Sequence, residues 1–376
     1  MGKLLGNGLI SEEQFAMARS LNTQINNLES RNNAPVVSSR PLRIGLDISS
    51  ACNIKCIFCL AEKGRMRASD HGAFRKPELL DHYEPLLPFV QQVIFSSYEA
   101  ILNPWFDQFV DRLRSYATPF QIFSNGYAFT PELSEYLLRN GLKSVWCSFH
   151  GASEKVYQSI MRGSDYDTVL QNLVKIKVLA RKYNPSFELT LVFCAMRRTI
   201  EELSQYVDLA RRVGAKKIQV NYLLVTQQDA ALEQESVFFH KDLYDYHVLK
   251  AKLKAAEFGI TLNHQPTFCD YKHTPTPSPC YRPWEHLNVG RTGLVQVCCG
   301  GSPALGNMFE QGFSALWNSE KIVEFRARLN SGNPPEACTR CTRDRENPYD
   351  PTVHLTYLRL LSQEEQFRHL ERLGIP

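Results

Sequence analysis

The sequence lacks any long apolar segment that would place the chain in or across a membrane. No stretch approaches 18 consecutive apolar residues, and the first ten residues contain no apolar core of signal-peptide length. We therefore expect a cytoplasmic protein with reduced thiols and no membrane partner.

The chain also lacks a strong excess of one charge. Its 376 residues include 43 Lys and Arg against 39 Asp and Glu, a net charge of +4. So small an excess gives little attraction for nucleic acid or anionic lipid, and we expect neither as the main partner. Hydrophobic residues make up 43% of the chain, which predicts a globular protein with a sizeable core.

Cysteine is the residue type present in unusual number. Eleven cysteines exceed what an average cytosolic chain carries, yet they fall far short of the density of a small disulfide scaffold. Because cytoplasmic thiols stay reduced, clustered cysteines there are more often metal ligands or catalytic groups than disulfides. The spacing of the cysteines is therefore the main guide to function.

Apolar runs of strand length alternate with helical segments from residue 43 onward. The predicted strands cover residues 43–48, 92–96, 120–123, 144–149, 187–193 and 217–223. One intervening helix is predicted from Pro131 to Gly141, and another from a capping box at Thr199 and Glu202 to Gly214. Six β-then-α units predict an α/β fold with a parallel sheet, either doubly wound or a partial (β/α)6 barrel of the TIM type. In both, ligands bind beyond the carboxyl ends of the strands.

The pattern divides the chain into five predicted parts. These are an N-terminal helical extension and linker (1–40), the barrel core (41–225), a linker with a helix (226–279), a small cysteine-rich domain (280–341) and a charged tail (342–376). The cysteine-rich part contains too many loops to build much hydrophobic core, so we expect a metal centre to stabilise it.

The N-terminal extension is predicted to be one amphipathic helix that packs on the core. Ser11 and Gln14 form a possible capping box at its start. The expected packing face consists of the apolar residues at helical spacing, which are Phe15, Ala18, Leu21, Ile25 and Leu28.

Three cysteines, Cys52, Cys56 and Cys59, directly follow the first predicted strand. Three thiolates on one loop can hold three irons of a 4Fe-4S cluster, which normally takes four cysteines, so the fourth iron would stay open to another ligand. Two alternatives remain. The three positions share a helical face and could be packed thiols, or they could bind zinc.

The C-x-x-x-C-x-x-C spacing after the first strand of a βα array resembles the radical S-adenosylmethionine (radical SAM) superfamily over residues 41–225. The resemblance implies that Cys52, Cys56 and Cys59 hold a 4Fe-4S cluster whose open iron is chelated by SAM. An electron from the cluster then cleaves SAM to methionine and a 5'-deoxyadenosyl radical, which abstracts a hydrogen atom from the substrate. A reductase such as flavodoxin or ferredoxin is the implied electron donor.

Further residues match SAM-binding positions of the family. By resemblance, Phe58 lies against the adenine, Glu99 binds the amino group and Arg162 grips the carboxylate. A carboxylate at a strand end suits an ammonium group, although Glu99 and Arg162 could be ordinary solvated residues. The same resemblance makes Ser124, Asn125 and Ser148 contacts for the ribose or carboxylate. Turn capping explains Ser124 and Asn125 equally well.

Two residues are candidates for catalysis. His150 ends the fourth strand, where many relatives in the family carry an acid, and a structural role is its alternative. Cys269 lies in a loop ahead of the cysteine-rich part and is a candidate hydrogen-atom donor. Cys147 and Cys194 fall within predicted strands, where packing is the expected role.

Four later cysteines resemble the ligands of the C-terminal SPASM/twitch extension of radical SAM enzymes. The pairs Cys280/Cys298 and Cys338/Cys341 can bind one complete auxiliary 4Fe-4S cluster, with a zinc ribbon as the alternative. Cys299 is then a neighbour of the cluster. No cysteine follows Cys341, which favours the twitch version with one auxiliary cluster.

The two resemblances together imply a radical SAM oxidoreductase of the dehydrogenase or epimerase type, and we expect it to oxidise the substrate radical through the auxiliary 4Fe-4S cluster. Residues 1–40 are shorter than the leader-binding domain of many peptide-modifying relatives in the family, so we expect a small polar substrate such as a sugar or aminocyclitol. The alternatives are an epimerase, an enzyme that modifies ribosomal peptides, and a non-catalytic iron-sulfur or zinc protein. A nucleic-acid-modifying enzyme is disfavoured by the balanced charge.

Overall fold

An α/β fold with a mostly parallel sheet is found in the computed structural model, which describes residues 10–59, 74–96, 98–271, 279–298, 302–339 and 347–375. The strands within these ranges are β1 (Arg43–Leu46), β2 (Lys55–Cys56), β3 (Gln92–Phe95), β4 (Phe120–Ser124), β5 (Leu142–Ser148), β6 (Met161–Arg162), β7 (Glu188–Ala195), β8 (Lys217–Tyr222), β9 (Thr261–His264), β10 (His286–Val289), β11 (Leu294–Gln296) and β12 (Gly306–Asn307).

The helices surround this sheet. They are α1 (Glu12–Arg31), α2 (Phe106–Arg114), α3 (Pro131–Arg139), α4 (Glu154–Ile160), α5 (Tyr166–Tyr183), α6 (Arg197–Ile200), α7 (Leu203–Val213), α8 (Ala230–Glu233), α9 (Lys241–Glu257), α10 (Arg282–Glu285), α11 (Met308–Trp317), α12 (Glu320–Leu329), α13 (Glu336–Thr339), α14 (Pro351–His354) and α15 (Gln363–Arg372). Short 3-10 helices cover Pro77–His82, Ala100–Leu102, Val237–Phe239 and Thr356–Leu360. Among the described residues, no helix is both long and apolar enough to cross a bilayer.

The main sheet has the strand order β12-β11-β10-β1-β3-β4-β5-β7-β8-β9. All pairings from β10 through to β9 are parallel, while β10-β11 and β11-β12 are antiparallel. The expected partial barrel is therefore confirmed. Side chains of its strands, such as Ile44, Ile122, Val145 and Ile218, are fully buried because helices cover the outer face and the opposite face is also shielded.

The cysteine-rich region is joined to the main sheet, which the sequence did not lead us to expect. Strand β10 lies parallel to β1, with Arg43 opposite His286 and Leu46 opposite Val289. The close approach of the two strands depends on Gly45, because a Cβ atom there would lie 2.5 Å from Oδ1 of Asn288. The cysteine-rich region thus shares the hydrophobic core of the main sheet.

Most helix predictions hold, and one of their caps does not. The structure gives α3 and α7 close to their expected ranges, and α9 is the helix expected within residues 226–279. Gly214 ends α7 in the left-handed conformation at φ 74°. The capping box predicted at Thr199 and Glu202 is wrong. The carboxylate of Glu202 instead accepts hydrogen bonds from the backbone N–H groups of Ala152 (2.6 Å) and Ser153 (3.0 Å), which precede α4. Glu202 therefore satisfies the free backbone N–H groups at the start of α4 and does not cap its own helix.

Helix α1 begins at the predicted capping box, but it buries a different face from the one expected. Oγ of Ser11 accepts from the backbone N of Gln14, and Oε1 of Gln14 accepts from the backbone N of Ser11. Asn26 is fully buried, whereas Leu21 and Leu28 are 57% and 64% exposed. Of the expected face, Phe15 alone is fully packed into the core.

The polar face of α1 is buried because it packs against backbone carbonyl groups. Nδ2 of Asn26 donates to the carbonyl oxygens of Trp284 (2.7 Å) and Arg40 (3.2 Å) and to Oγ of Ser39 (3.0 Å). The segment 32–41, which we call the strap, returns along α1 and places the Arg40 carbonyl and the Ser39 hydroxyl beside Asn26. Amide side chains are the partners such carbonyls need once they are removed from water.

The strap also binds the cysteine-rich region through a buried arginine. The guanidinium of Arg326 donates to the carbonyl oxygens of Pro283 (3.1 Å), Trp317 (3.0 Å) and Pro35 (3.3 Å). Its carbon lies 4.5 Å from the centre of the Trp317 ring. Burial lowers the pKa of Arg326 to about 9. Arg326 therefore remains charged at neutral pH and joins three chain segments.

We predict that Asn26→Ala destabilises the protein more than Leu28→Ala, although Asn26 is the polar residue. Removing the Asn26 amide leaves two buried carbonyls without this donor and should lower the free energy of unfolding by about 2 kcal/mol. The exposed Leu28 should change it by less than about 0.5 kcal/mol. Urea denaturation of both variants measures the difference. A larger loss in Leu28→Ala would show that the apolar face of α1 is the packed one.

Candidate functional site

The first three cysteines lie on a tight loop after β1. Strand β2 pairs antiparallel with β6, so that Cys56 lies opposite Met161, and the backbone N of Ile57 donates to the carbonyl of Ile160 (3.0 Å). The backbone N of Cys59 donates to the carbonyl of Cys56 (3.0 Å). Residues 52–59 thus form a short ribbon and turn, which excludes the alternative of a helical stripe of thiols.

The three thiols lie on one loop and have the chemistry that suits an iron-sulfur cluster. Cys52 is exposed, and Cys56 and Cys59 are half-buried. Burial, the Glu99 charge and the Cys59 charge raise the pKa of Cys52, whose sulfur lies 3.6 Å from Nδ2 of Asn125. Within the described ranges, no three Cys, His, Asp or Glu side chains converge as the ligands of a single ion do. A 4Fe-4S cluster does not need such convergence, because each thiolate binds a different iron.

Glu99 is a fully buried carboxylate at the carboxyl end of β3. Its Oε1 accepts from the Ser124 hydroxyl (2.8 Å), and its Oε2 accepts from the backbone N of Asn125 (2.9 Å). Neither donor carries a charge, and burial raises the pKa of Glu99 to about 7. A buried carboxylate of this kind is suited to an ammonium group from a ligand.

The turn after β4 holds Glu99 and the cysteine loop together. Ser124 Oγ also accepts from the backbone N of Gly126 (2.9 Å), and Asn125 Nδ2 donates to Oδ1 of Asn53 (2.8 Å). Gly126 has φ 79°, and a Cβ there would lie 2.9 Å from a Val169 methyl. The two polar residues thus cap their turn, and their contact with a ligand stays a prediction. Asn53 was not among the site residues predicted from the sequence, although it directly follows Cys52.

Arg162, Phe58 and Ser148 lie around the same loop. Arg162 is exposed on β6 directly opposite Lys55, one residue from Cys56. The Phe58 ring packs against His150, with 5.3 Å between ring centres. Ser148 ends β5 and is half-buried. The structure therefore brings these candidates to the carboxyl edge of the sheet beside the cysteines, and their SAM contacts remain predictions.

His150 is buried behind Phe58. Its Nδ1 accepts a hydrogen bond from the backbone N of Cys194 on β7 (3.1 Å), and burial lowers its pKa to about 4. The imidazole is therefore neutral at physiological pH. This geometry fits a positioning residue that supports Phe58 and links the ends of β5 and β7, while direct catalysis by His150 stays a prediction.

Cys269 lies in a loop beyond the carboxyl end of β9, at the same sheet edge as the cysteine loop. The backbone N of Phe268 and of Cys269 donate to the two carboxylate oxygens of Asp245 (2.7 and 2.6 Å), and Tyr349 donates to the Phe268 carbonyl (2.9 Å). Desolvation and a hydrogen bond with Asp245 raise the pKa of the exposed Cys269 thiol. Asp245, on α9, had no signal in the sequence.

The two cysteines expected to pack do so. Cys147 and Cys194 are buried in the hydrophobic core, and burial strongly raises the pKa of both thiols. Neither is suited to act as a thiolate near neutral pH.

Two cysteines of the second group, Cys280 and Cys298, lie near the start of β10. Cys280 precedes α10, Cys298 follows β11, and Cys338 lies in α13. In the antiparallel pair, Gln296 lies opposite Asn288, so the chain runs back toward the start of β10 as it reaches Cys298. All three are half-buried. The predicted ligand Cys341 and its neighbour Cys299 lie outside the described residues.

Cys280 is held in place by the strap. Its backbone N donates to Oδ1 of Asn330 (3.1 Å), and Nδ2 of Asn330 donates to Oδ1 of Asn33 (2.6 Å). Asn330 is the C-cap residue of α12, and its side-chain amide links the strap to Cys280, a predicted cluster ligand. No local pattern in the sequence indicates this contact, because 297 residues separate Asn33 from Asn330.

Two segments of the chain match known domain families. Residues 46–182 match the model of the radical SAM superfamily, and residues 280–342 match SPASM, an iron-sulfur cluster-binding domain. These matches imply SAM, a SAM-binding 4Fe-4S cluster and an auxiliary iron-sulfur cluster as cofactors.

Three relatives show the breadth of the similarity. Mycofactocin maturase MftC of Mycobacterium tuberculosis is 23% identical over 46% of this chain and 43% of its own length. AdoMet-dependent heme synthase of Methanosarcina barkeri is 23% identical over 76% of this chain and 84% of the relative. PqqA peptide cyclase of Gluconobacter oxydans is 22% identical over 81% of this chain and 84% of its own length. The chain spans about two fifths of the length of the maturase.

Solved structures share the fold. Streptococcus suis SuiB bound to precursor peptide SuiA superposes with a TM-score of 0.58 at 13% identity, over 82% of this chain and 71% of SuiB. The protein anSMEcpe with bound AdoMet and the Cp18Cys peptide superposes with a TM-score of 0.57 at 16% identity, over 89% of this chain and 97% of anSMEcpe. At these identities the likeness concerns the fold.

We predict that Glu99→Gln stabilises the SAM-free protein at about pH 8 and weakens SAM binding at least about tenfold. Burial raises the Glu99 pKa from 4.5 to about 7, so ionising this carboxylate costs the folded state about 3 kcal/mol above pH 7. The cost is absent below pH 4.5 and grows between the two values. The gain in stability should therefore disappear at about pH 4.5.

Denaturant unfolding at both pH values and calorimetric titration with SAM measure the two effects. Glu132→Gln, an exposed acid on α3, is the control and should change neither. Equal stability of the two variants at the higher pH, or unchanged SAM affinity in Glu99→Gln, would contradict this account of the carboxylate.

Proposed function

The chain belongs to the radical SAM superfamily and carries a SPASM iron-sulfur domain, and from this premise we propose that it modifies a peptide substrate by radical chemistry. The observation that carries the catalytic part is the buried Glu99 carboxylate, held by uncharged donors beside a three-cysteine loop. The peptide part is supported by the name of one relative, PqqA peptide cyclase, and by the precursor peptide bound to SuiB.

The proposed ligands follow the positions of the residues at the carboxyl edge of the sheet. Cys52, Cys56 and Cys59 would hold the first cluster, Glu99 the SAM ammonium group and Arg162 its carboxylate. When bound and reduced, these cofactors supply a 5'-deoxyadenosyl radical for hydrogen abstraction, and the auxiliary cluster supplies an electron acceptor. A flavodoxin- or ferredoxin-type reductase is the proposed source of electrons.

The chain's own groups prepare this site before the cofactors bind. The Ser124 hydroxyl and the Asn125 backbone fix both carboxylate oxygens of Glu99, so little reorganisation is needed when an ammonium group arrives. Phe58 offers an apolar face supported by the neutral His150. Arg162, opposite Lys55, adds positive charge where a carboxylate would bind.

The proposed auxiliary ligands are Cys280, Cys298, Cys338 and Cys341. Asn330 and the strap fix the first of them, and the pairing of β10 with β1 ties the region to the catalytic sheet. We therefore favour an oxidation in which the substrate loses one hydrogen atom and then one electron and one proton.

A peptide substrate replaces the sugar-like substrate that the short N-terminal extension led us to expect. That expectation took the extension as too short to bind a leader peptide, but the PqqA peptide cyclase matches 81% of this chain. The heme synthase among the relatives makes a porphyrin the alternative substrate. Short peptides encoded beside the gene are the first candidates, tested by loss of two hydrogen atoms in the product mass.

We expect Cys56→Ala to abolish SAM cleavage and to leave the auxiliary cluster in place. Reconstituted wild type should contain about eight irons, and the variant about four. Dithionite with SAM should yield 5'-deoxyadenosine from the wild type alone. Cys194→Ala, a buried cysteine outside both groups, serves as the control and should behave like wild type. Cleavage that survives in Cys56→Ala would refute the assignment of the first cluster.

The exposed thiol of Cys269 supports a second candidate, a redox-neutral epimerase. Its raised pKa keeps the S–H bond intact, which a hydrogen-atom donor requires, and its loop lies at the catalytic edge. Turnover in D2O separates the two candidates. The oxidation predicts a product without solvent deuterium and no change in Cys269→Ser. Deuterium at the modified carbon that disappears in Cys269→Ser would assign epimerisation with Cys269 as the donor.

A further inference from the structure

A groove between α5 and α7 lies at the end of the barrel opposite the cysteine loop. It has a volume of about 450 Å³. Its lining consists of Val174, Lys177, Val178, Ala180, Arg181, Pro185, Arg211, Arg212, Val213, Gly214 and Lys216. Both helices end there, just before β7 and β8 begin. We call this surface the cationic groove.

The cationic groove concentrates the positive charge of the chain. Five of its eleven lining residues are Lys or Arg and none is acidic. The two segments that supply this lining, 174–188 and 211–217, carry eight Lys and Arg against the single acid Glu188. Subtracting these from the totals of 43 and 39 leaves 35 Lys and Arg against 38 Asp and Glu elsewhere. The rest of the protein is therefore net negative, and an acidic ligand would be attracted to this surface in particular.

Helix dipoles explain only part of this charge. Arg181 and Arg212 lie in the last turns of α5 and α7, where a cation is favourable. Lys177 and Lys216 lie outside those turns. Burial and the charges of Lys216 and Arg181 lower the pKa of Lys177. These three cations therefore repel one another, and the helix dipoles do not account for that arrangement. An anionic partner would relieve that repulsion.

The floor of the cationic groove is apolar. Val174 and Val178 are 40% and 56% exposed, and Pro185 and Val213 line the groove beside them. The lining contains no aromatic side chain on which a nucleobase could stack. Exposed apolar groups between cations instead fit a peptide that presents both aliphatic and acidic side chains.

We propose that the cationic groove binds an acidic, amphipathic segment of the peptide substrate, outside the residues that are modified. This inference rests on the proposed peptide substrate. Because the groove and the cysteine loop lie at opposite ends of the strands, the peptide must run past a strand of eight residues, β7. That strand is about 26 Å long, so at least about eight extended residues must separate the two parts of the peptide.

The test uses the reconstituted full chain and labelled probes in fluorescence anisotropy. The main probe is a designed Leu/Glu amphipathic helix of about 18 residues. Its Leu/Gln analogue and an oligothymidylate of similar length are the comparison probes. The variant combines Arg181→Glu, Arg212→Glu and Lys216→Glu, three exposed residues. The matched control combines Lys250→Glu, Lys252→Glu and Lys321→Glu, which are also exposed and change the net charge equally.

We expect the Leu/Glu helix to bind at least about tenfold more weakly to the groove variant than to the wild type or the control, with affinity falling as salt rises. Equal binding to all three proteins, or equal binding of the Leu/Gln analogue, would overturn the proposal. Equally tight binding of oligothymidylate would identify a general polyanion surface and would also overturn it.

SAM cleavage is measured on the same samples. The groove lies far from the cysteine loop, so the variant should form 5'-deoxyadenosine at the wild-type rate. Retained cleavage with unchanged helix binding would defeat the groove assignment alone. Absence of cleavage in the wild type would defeat the proposed function instead.

Discussion

The parallel pairing of β1 with a neighbour on each side is the constraint on which both cysteine groups depend. Through β3, this strand aligns the Cys52 loop with Glu99 at the carboxyl edge of the sheet. Through β10, it draws in the region that carries Cys280. Gly45 permits the second pairing because no side chain there obstructs Asn288. Strand β1 separates these two edges of the sheet by about 13 Å, because each of its four residues rises about 3.3 Å.

The proposed SAM site is arranged at a cost in stability. Glu99 is fully buried, and hydrogen bonds from Ser124 and Asn125 offset only part of the loss of water, since its pKa remains raised to about 7. A more stable fold would place an amide there. An ionised carboxylate in a dry site, however, attracts an ammonium group far more strongly than one in water, because the interaction is weakly screened. Functional sites commonly retain such unfavourable groups.

The sequence predicted best what depends on local periodicity and spacing. Strands, most helices and the positions of the cysteines follow from patterns within one segment. The buried face of α1 did not follow, because Asn26 packs on carbonyls of the strap and of Trp284, far along the chain. Glu202 was predicted to cap its own helix, but its carboxylate accepts a hydrogen bond from the loop before α4. Both errors arose where a long-range hydrogen bond replaced the short-range interaction that the pattern favoured.

The strap makes the N-terminal extension part of the auxiliary region, and this has a thermodynamic consequence. Asn33 reaches Cys280 through Asn330, and Arg326 joins the strap to α10 and α11. A cluster held by Cys280 would therefore bind more tightly to the strapped conformation than to one in which the strap is released. Binding and strap closure are then linked equilibria, and each must stabilise the other by the same free energy. A loop-rich region with little core of its own would thus be stabilised both by the strap and by a cluster bound at Cys280.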